Sequence, residues 1–145
     1  MGNLTKNFSW SEFACKGNDC CEHSSPISLE HVEKLQALRD YLEAPLIITS
    51  GFRCNKHNTN VGGAPGSQHT FGLATDLTCP TLTAIELCQT ILDFFVVYPM
   101  YSFDGIGLYP DKGFVHLDSR DGKAHWSEVD GIHYTGLEFG LAWEG

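Results

Sequence analysis

At 145 residues the chain fits one domain and is long enough to bury a core. Hydrophobic residues at 42% and charged residues at 19% exclude a disordered chain, and no apolar run approaches the length that crosses a membrane. A formal net charge of −9 excludes nucleic-acid binding through a basic patch and lends no attraction to an anionic cell wall.

Met1–Asn7 lacks the apolar stretch of a secretory leader. Ser9-Trp10-Ser11-Glu12 has the spacing of a capping box and predicts a short helix. Cys15 to Pro26 is a loop dense in Gly, Asn, Asp and Ser. Ser28 caps a helix running to about Leu42, in which Leu29, Val32, Leu35, Leu38 and Leu42 share one face; Pro45 ends it. Leu46–Thr49 predicts a buried strand, and Asn58–Gly66, with three glycines and a proline, a loop. Gly72–Thr78 alternates as a strand does.

Thr83-Ala84-Ile85-Glu86 is a second capping box. It opens a helix with Leu82, Ile85, Cys88, Ile91, Leu92 and Phe95 facing inward. Phe103–Leu108 and Phe114–Asp118 predict a hairpin closed by the turn Tyr109–Gly113, and Ala124–Val129 a further strand. The mixed order implies an α+β fold, a small antiparallel sheet flanked by helices.

The chemistry concentrates between Ser67 and Asp76. His69 and Asp76 stand seven apart, with the small residues Gly72 and Ala74 between them to allow close backbone approach. Imidazole nitrogen and carboxylate oxygen both bind zinc, and a third protein ligand leaves the fourth position open, as catalytic sites do. His116 is the best third candidate. It lies in Phe114–Asp118, where alternation sends His116, Asp118 and Arg120 to one face and Val115 and Leu117 to the other. Spacing alone is equally met by a solvated loop histidine and a strand-end aspartate.

The six cysteines are even in number, but without a leader they are expected as thiols, with Cys88 a small core residue. Cys15, Cys20, Cys21 and His23 crowd one loop, and Cys54 adjoins Arg53. A second, structural zinc there is the alternative to the expected reading, thiols packing the loop against the Arg53 segment or an adventitious disulfide. His31, His57 and His133 are expected at the surface. Trp10, Trp126 and Trp143 are expected as packing.

The string Ser67–Asp76 fits the pattern S-x-H-x-x-G-x-A-x-D, in which the chain resembles the peptidase M15 family of zinc D-alanyl-D-alanine carboxypeptidases and L-alanyl-D-glutamate endopeptidases. Four other stretches resemble its carboxypeptidase-type branch: Phe8–Cys15, Thr49–Asn58, Gly105–Tyr109 (GIGLY) and Gly113–Arg120 (GFVHLDSR). The resemblance implies a Hedgehog/D-Ala-D-Ala peptidase-like fold, with residues 1–145 as a single zinc peptidase domain. It implies one catalytic zinc held by His69, Asp76 and His116, and substrate contacts from Arg53 and Ser67. It further implies metal-assisted hydrolysis of peptidoglycan stem peptides or cross-links, in a bacterial or phage wall-lytic setting. The protein would then stay cytoplasmic until released to the wall, with a phage or wall-targeting partner a possibility and neither nucleic acid nor membrane involved.

One departure matters. Many such enzymes carry a general-base Glu three residues before the last zinc histidine, and wider relatives a His two before it; here those positions are Gly113 and Phe114. Asp118 is therefore the first candidate for the catalytic base, Asp111 the second and His125 the third. A partner that orients His116 is the competing role for Asp118. The same departure admits two other readings: a zinc-holding wall-binding module without hydrolysis, or a component of a phage particle or secretion machine.

Overall fold

The computed structural model describes residues 2–18, 20–21 and 26–137; His23 and Trp143 lie outside them. Among these residues three α-helices and six strands form an α+β domain. Helix α1 spans Leu29–Leu42, α2 Asn55–Asn60 and α3 Ala84–Val97. Strands β1 to β6 are Ile47–Ser50, Ala74–Thr78, Gly105–Tyr109, Phe114–Asp118, Ala124–Val129 and Ile132–Thr135. No described helix is long and apolar enough to cross a membrane.

The helix starts follow local chemistry. The Ser28 side chain accepts the His31 N–H at α1, and Thr83 and Glu86 cap α3 reciprocally. The Ser9 capping box starts only a 3₁₀ turn, Trp10–Phe13. Helix α2 was not foreseen and takes Asn58–Asn60 out of the expected loop. Its cap is the thiol of Cys54, which accepts the His57 N–H at 3.3 Å, an unusual cap that sequence rules do not weigh.

The sheet corrects the expectation of a small antiparallel one. Its order is β1-β2-β4-β3-β5-β6, and β3 pairs with β5 in parallel. Periodicity identifies strands but not their neighbours. Because β4 folds back on β3 and the chain then passes to β3's other edge, β5 must run in the direction of β3. Both helices α1 and α3 cover one face, where Val32, Leu35, Leu38, Ile91, Leu77 and Leu117 are fully buried. Leu29, expected inward, is exposed, and Ile47 of the edge strand β1 likewise.

His31 is also corrected. It is fully buried on the inner face of α1. Its Nδ1 lies 2.9 Å from Ser119 Oγ and its Nε2 3.0 Å from Thr75 Oγ1, and its ring meets Phe103 edge-on at 4.7 Å. Hydroxyls both donate and accept, so the neutral ring is satisfied in either tautomer. Burial, reinforced by the neighbouring His116, pushes its pKa down to about 3. A histidine whose folded pKa is depressed binds fewer protons than the unfolded chain, so stability is lost as pH falls below the ordinary value near 6.5. Lowering the pH from about 7 to 5 should cost the parent up to roughly 2 kcal/mol more than His31→Gln, measured by urea unfolding at each pH. Equal pH slopes would remove His31 from the account.

Candidate metal centre

One row of residues crosses the sheet. Register places Asp76 of β2 opposite Ser50 of β1 and His116 of β4; His116 faces Gly107 of β3, which faces Trp126 of β5. Side chains of one such row share a face. That face, opposite the helices, forms the floor of a cleft of about 510 Å³. His69 reaches it from the 3₁₀ turn Gln68–Phe71, whose N-cap Ser67 accepts the His69 N–H at 3.3 Å. Gly72 ends that turn with φ +69°, and a Cβ there would lie 1.8 Å from the Pro26 carbonyl oxygen, so only glycine fits.

His69, Asp76 and His116 are all buried and offer ligand atoms within 4.8 Å of one another. His69 Nδ1 lies 2.8 Å from the Gly51 carbonyl oxygen, which can only accept, so Nδ1 carries the hydrogen and Nε2 presents its lone pair. In the neutral ring that lone pair faces Asp76 Oδ1 at 3.3 Å, acceptor against acceptor, an arrangement that a proton or a metal ion on Nε2 resolves. His116 Nδ1 lies 3.0 Å from the same oxygen. Two imidazole nitrogens converging on one carboxylate oxygen fit a zinc ion, with the three-residue donor set of catalytic sites.

On its far side His116 Nε2 lies 2.7 Å from Asp118 Oδ2. Between two carboxylates the imidazole is driven to hold both hydrogens. Burial opposes this, but the hydrogen bonds to Asp118 and Asp76 outweigh burial and raise the His116 pKa above its ordinary value. Asp76 shows the mirror effect. Burial favours its neutral form, yet the hydrogen bond from His116, together with that ring's charge, holds its carboxyl well below the usual carboxylate range.

Asp118 is fully buried and does not line the cleft. Arg120 grips it through Nε at 2.8 Å and Nη2 at 2.7 Å, and the Arg120 backbone N–H adds a third bond at 3.2 Å. The Arg120 guanidinium in turn lies 5.2 Å from the Trp126 ring. Two glycines of GIGLY make this possible. A Cβ on Gly105 would lie 2.0 Å from Asp118 Oδ1, and one on Gly107 2.6 Å from the Trp126 ring.

Arg53 lines the cleft and donates to Ser50 Oγ, Asn58 Oδ1 and, at 3.4 Å, Asp76 Oδ2. Among the described residues these use three of its five N–H groups. Ser67 also lines the cleft. The other base candidates do not: the Asp111 carboxylate accepts the Asp130 N–H, and His125 points by strand alternation to the opposite face of β5 from Trp126. The cleft instead holds Glu128 and His133, paired across β5 and β6. Sequence reasoning missed both. The signal was present in β5, where Glu128 shares the face of Trp126.

A family model described as peptidase M15 matches residues 6–118. The chain belongs to the peptidase M15 family. Its stretch of likeness to the zinc D-Ala-D-Ala carboxypeptidase of Streptomyces albus G is 47% identical over 45 residues, 30% of this chain and 18% of that protein. The chain thus matches under a fifth of that relative's length.

The raised His116 pKa sets a pH dependence. A proton and a metal ion compete for Nδ1, so metal affinity should fall as pH drops and begin falling above the ordinary histidine value near 6.5. Asp118→Asn should move that midpoint down and weaken binding at high pH by about 10–100-fold. Chelator competition, followed through the His69 and His116 imidazole NMR signals, checks both. A pH-independent affinity, or parental affinity in the variant, would contradict the assignment.

Proposed function

We propose that the protein is a zinc metallopeptidase that hydrolyses stem peptides or cross-links of peptidoglycan, as a carboxypeptidase or endopeptidase, in a bacterial or phage wall-lytic role. The observation that carries the reading is the buried His69/Asp76/His116 set at the floor of an open cleft, in a chain of the M15 family. Zinc, when held there, supplies Lewis-acid polarisation of a carbonyl and activation of water for hydrolysis.

The remaining chemistry belongs to the chain. Arg53, Lys112 and Arg120 line the cleft although the whole chain carries a net charge of −9. Each of the three stands beside a carboxylate of the chain, Arg53 by Asp76, Lys112 by Glu128 and Arg120 by Asp118. Arg53 orients Asp76 with one arm of its fork and, from the cleft wall, receives a substrate carboxylate or carbonyl. Ser67 holds the His69 turn and lines the cleft, where it would contact substrate. Trp126 and Tyr109, joined by a 2.9 Å bond from Trp126 Nε1–H to Tyr109 Oη, form an aromatic wall for small aliphatic side chains.

The proton carrier in this proposal is Glu128 and not Asp118. Asp118 lies buried behind His116 with both oxygens occupied, and its carboxyl is held well below the usual range because the Arg120 and His116 bonds outweigh burial. Such a group orients an imidazole and is poorly suited to exchange protons with substrate. Glu128 has a part-exposed carboxylate in the cleft, 3.8 Å from the Lys112 ammonium. The second reading, a wall-binding module without hydrolysis, draws on Gly113 and Phe114 at the positions where relatives carry a base.

Digestion of purified sacculi and of D-Ala-D-Ala-terminated stem peptides, analysed by mass spectrometry, decides between them. Cleaved peptides that vanish with chelator are expected; binding without cleavage would favour the second reading. Glu128→Gln should lower kcat by about 10²–10⁴-fold with metal content unchanged. Arg53→Lys, which keeps the charge and loses the fork, should depress kcat/KM strongly, with a smaller fall in Tm from the lost Ser50 and Asn58 bonds. Parental turnover in Glu128→Gln would remove it as the proton carrier.

A further inference from the structure

A second group of metal-ligating side chains lies outside the cleft. The Sγ atoms of Cys15, Cys20, Cys21 and Cys54 all fall within 4.8 Å of one another. Cys15 lies 3.7 Å from Cys20 and 3.8 Å from Cys54, and Cys20 lies 3.8 Å from Cys21. Thiolates at the corners of a tetrahedron about 2.3 Å from a central zinc are about 3.8 Å apart. A disulfide needs its sulfurs at about 2.05 Å, and none of the six cysteines forms one. We propose that Cys15, Cys20, Cys21 and Cys54 form a closed four-thiolate zinc site with a structural role.

The surroundings are built for close approach of sulfur. A Cβ on Gly17 would lie 2.5 Å from Cys20 Sγ, so the loop needs glycine there to fold over the cluster. The His57 backbone N–H donates to Cys54 Sγ at 3.3 Å, a bond that stabilises negative charge on sulfur. Four soft ligands in this shape select zinc or iron, and zinc asks for no redox chemistry. Four protein ligands leave no open position for substrate, which makes the site structural.

Its place in the fold gives it a task. Cys15 follows the 3₁₀ turn that buries Phe13, while Cys54 caps α2 and adjoins Arg53. The two segments already touch, with the Phe52 N–H donating to the Phe13 carbonyl at 2.9 Å. A metal there staples the N-terminal segment to the chain that carries Arg53 to the cleft. The proposal takes the structural-zinc reading of these thiols over the packing one. The inference stands apart from the reading of the cleft, because its ligands are sulfur.

The test uses the whole chain purified under reducing conditions. Zinc analysis should find two ions per chain in the parent, and the His69→Ala/His116→Ala variant should keep one, released only as the four cluster thiols are modified. Cobalt(II) substituted into the unaltered parent should show thiolate-to-cobalt charge-transfer absorption, which oxygen and nitrogen ligands alone do not produce. Cys54→Ser should lose one ion and that absorption while keeping the cleft metal. Should that variant fail to fold, the parent spectrum and thiol titration still decide. Free reaction of all four thiols in the zinc-loaded parent, or absence of the thiolate–cobalt band, would overturn the proposal. A disulfide among the four under reducing conditions would do the same.

Discussion

The pairing of Asp76 with His116 across β2 and β4 is the constraint on which the rest depends. The two residues are direct cross-strand partners, so the backbone ladder itself brings a carboxylate and an imidazole from distant parts of the chain to 3.0 Å. A one-residue slip in either strand would turn one of them into the hydrophobic core. The register is protected by Leu77, Val115 and Leu117, whose complete burial on the opposite face ties the geometry of the Asp76–His116 pair to core packing. His69 comes from outside the sheet, and its placement needs separate devices: the Ser67 cap, the Gly72 turn and the Gly51 carbonyl.

Around this pair the charges alternate. Arg53 approaches Asp76, Asp76 approaches His116, His116 meets Asp118, and Asp118 is clamped by Arg120. Burying isolated charges would be costly, and a line of alternating signs with well-formed hydrogen bonds offsets that cost. The line also divides labour between two similar aspartates. Asp76 faces the cleft and converges with both imidazoles; Asp118 sits behind and holds one ring in orientation. The two glycines of β3 exist for the far half of this line, one leaving room for the Asp118 carboxylate and one for the ring of Trp126.

Much of this was legible in the sequence where local rules decide. The capping boxes at Ser9 and Thr83, the apolar face of α1 and the strand alternation that puts His116 with Asp118 all follow from spacing. The failures share a cause, which is that partner choice is non-local. The parallel placement of β5 beside β3 leaves no periodic signature. Cys54 is 39 residues from Cys15, so only the fold completes the cysteine group. His31 has no partner nearby in the sequence and so reads as a surface residue; its two hydroxyl partners, Thr75 and Ser119, lie 44 and 88 residues away and only the fold brings them to it. Asp118 illustrates the subtler limit. Alternation correctly gave it the face of His116, but burial and Arg120, not alternation, determine what its carboxylate can do.

The most direct measurement is anomalous diffraction at the zinc edge on crystals of the zinc-loaded protein, refined with its coordinating atoms. The account requires a peak about 2.0–2.2 Å from His69 Nε2, an Asp76 carboxylate oxygen and His116 Nδ1, with His116 Nε2 still bonded to Asp118. A peak coordinated by His116 through Nε2, with the ring turned and the Asp118 contact broken, or no peak at these residues, would contradict it.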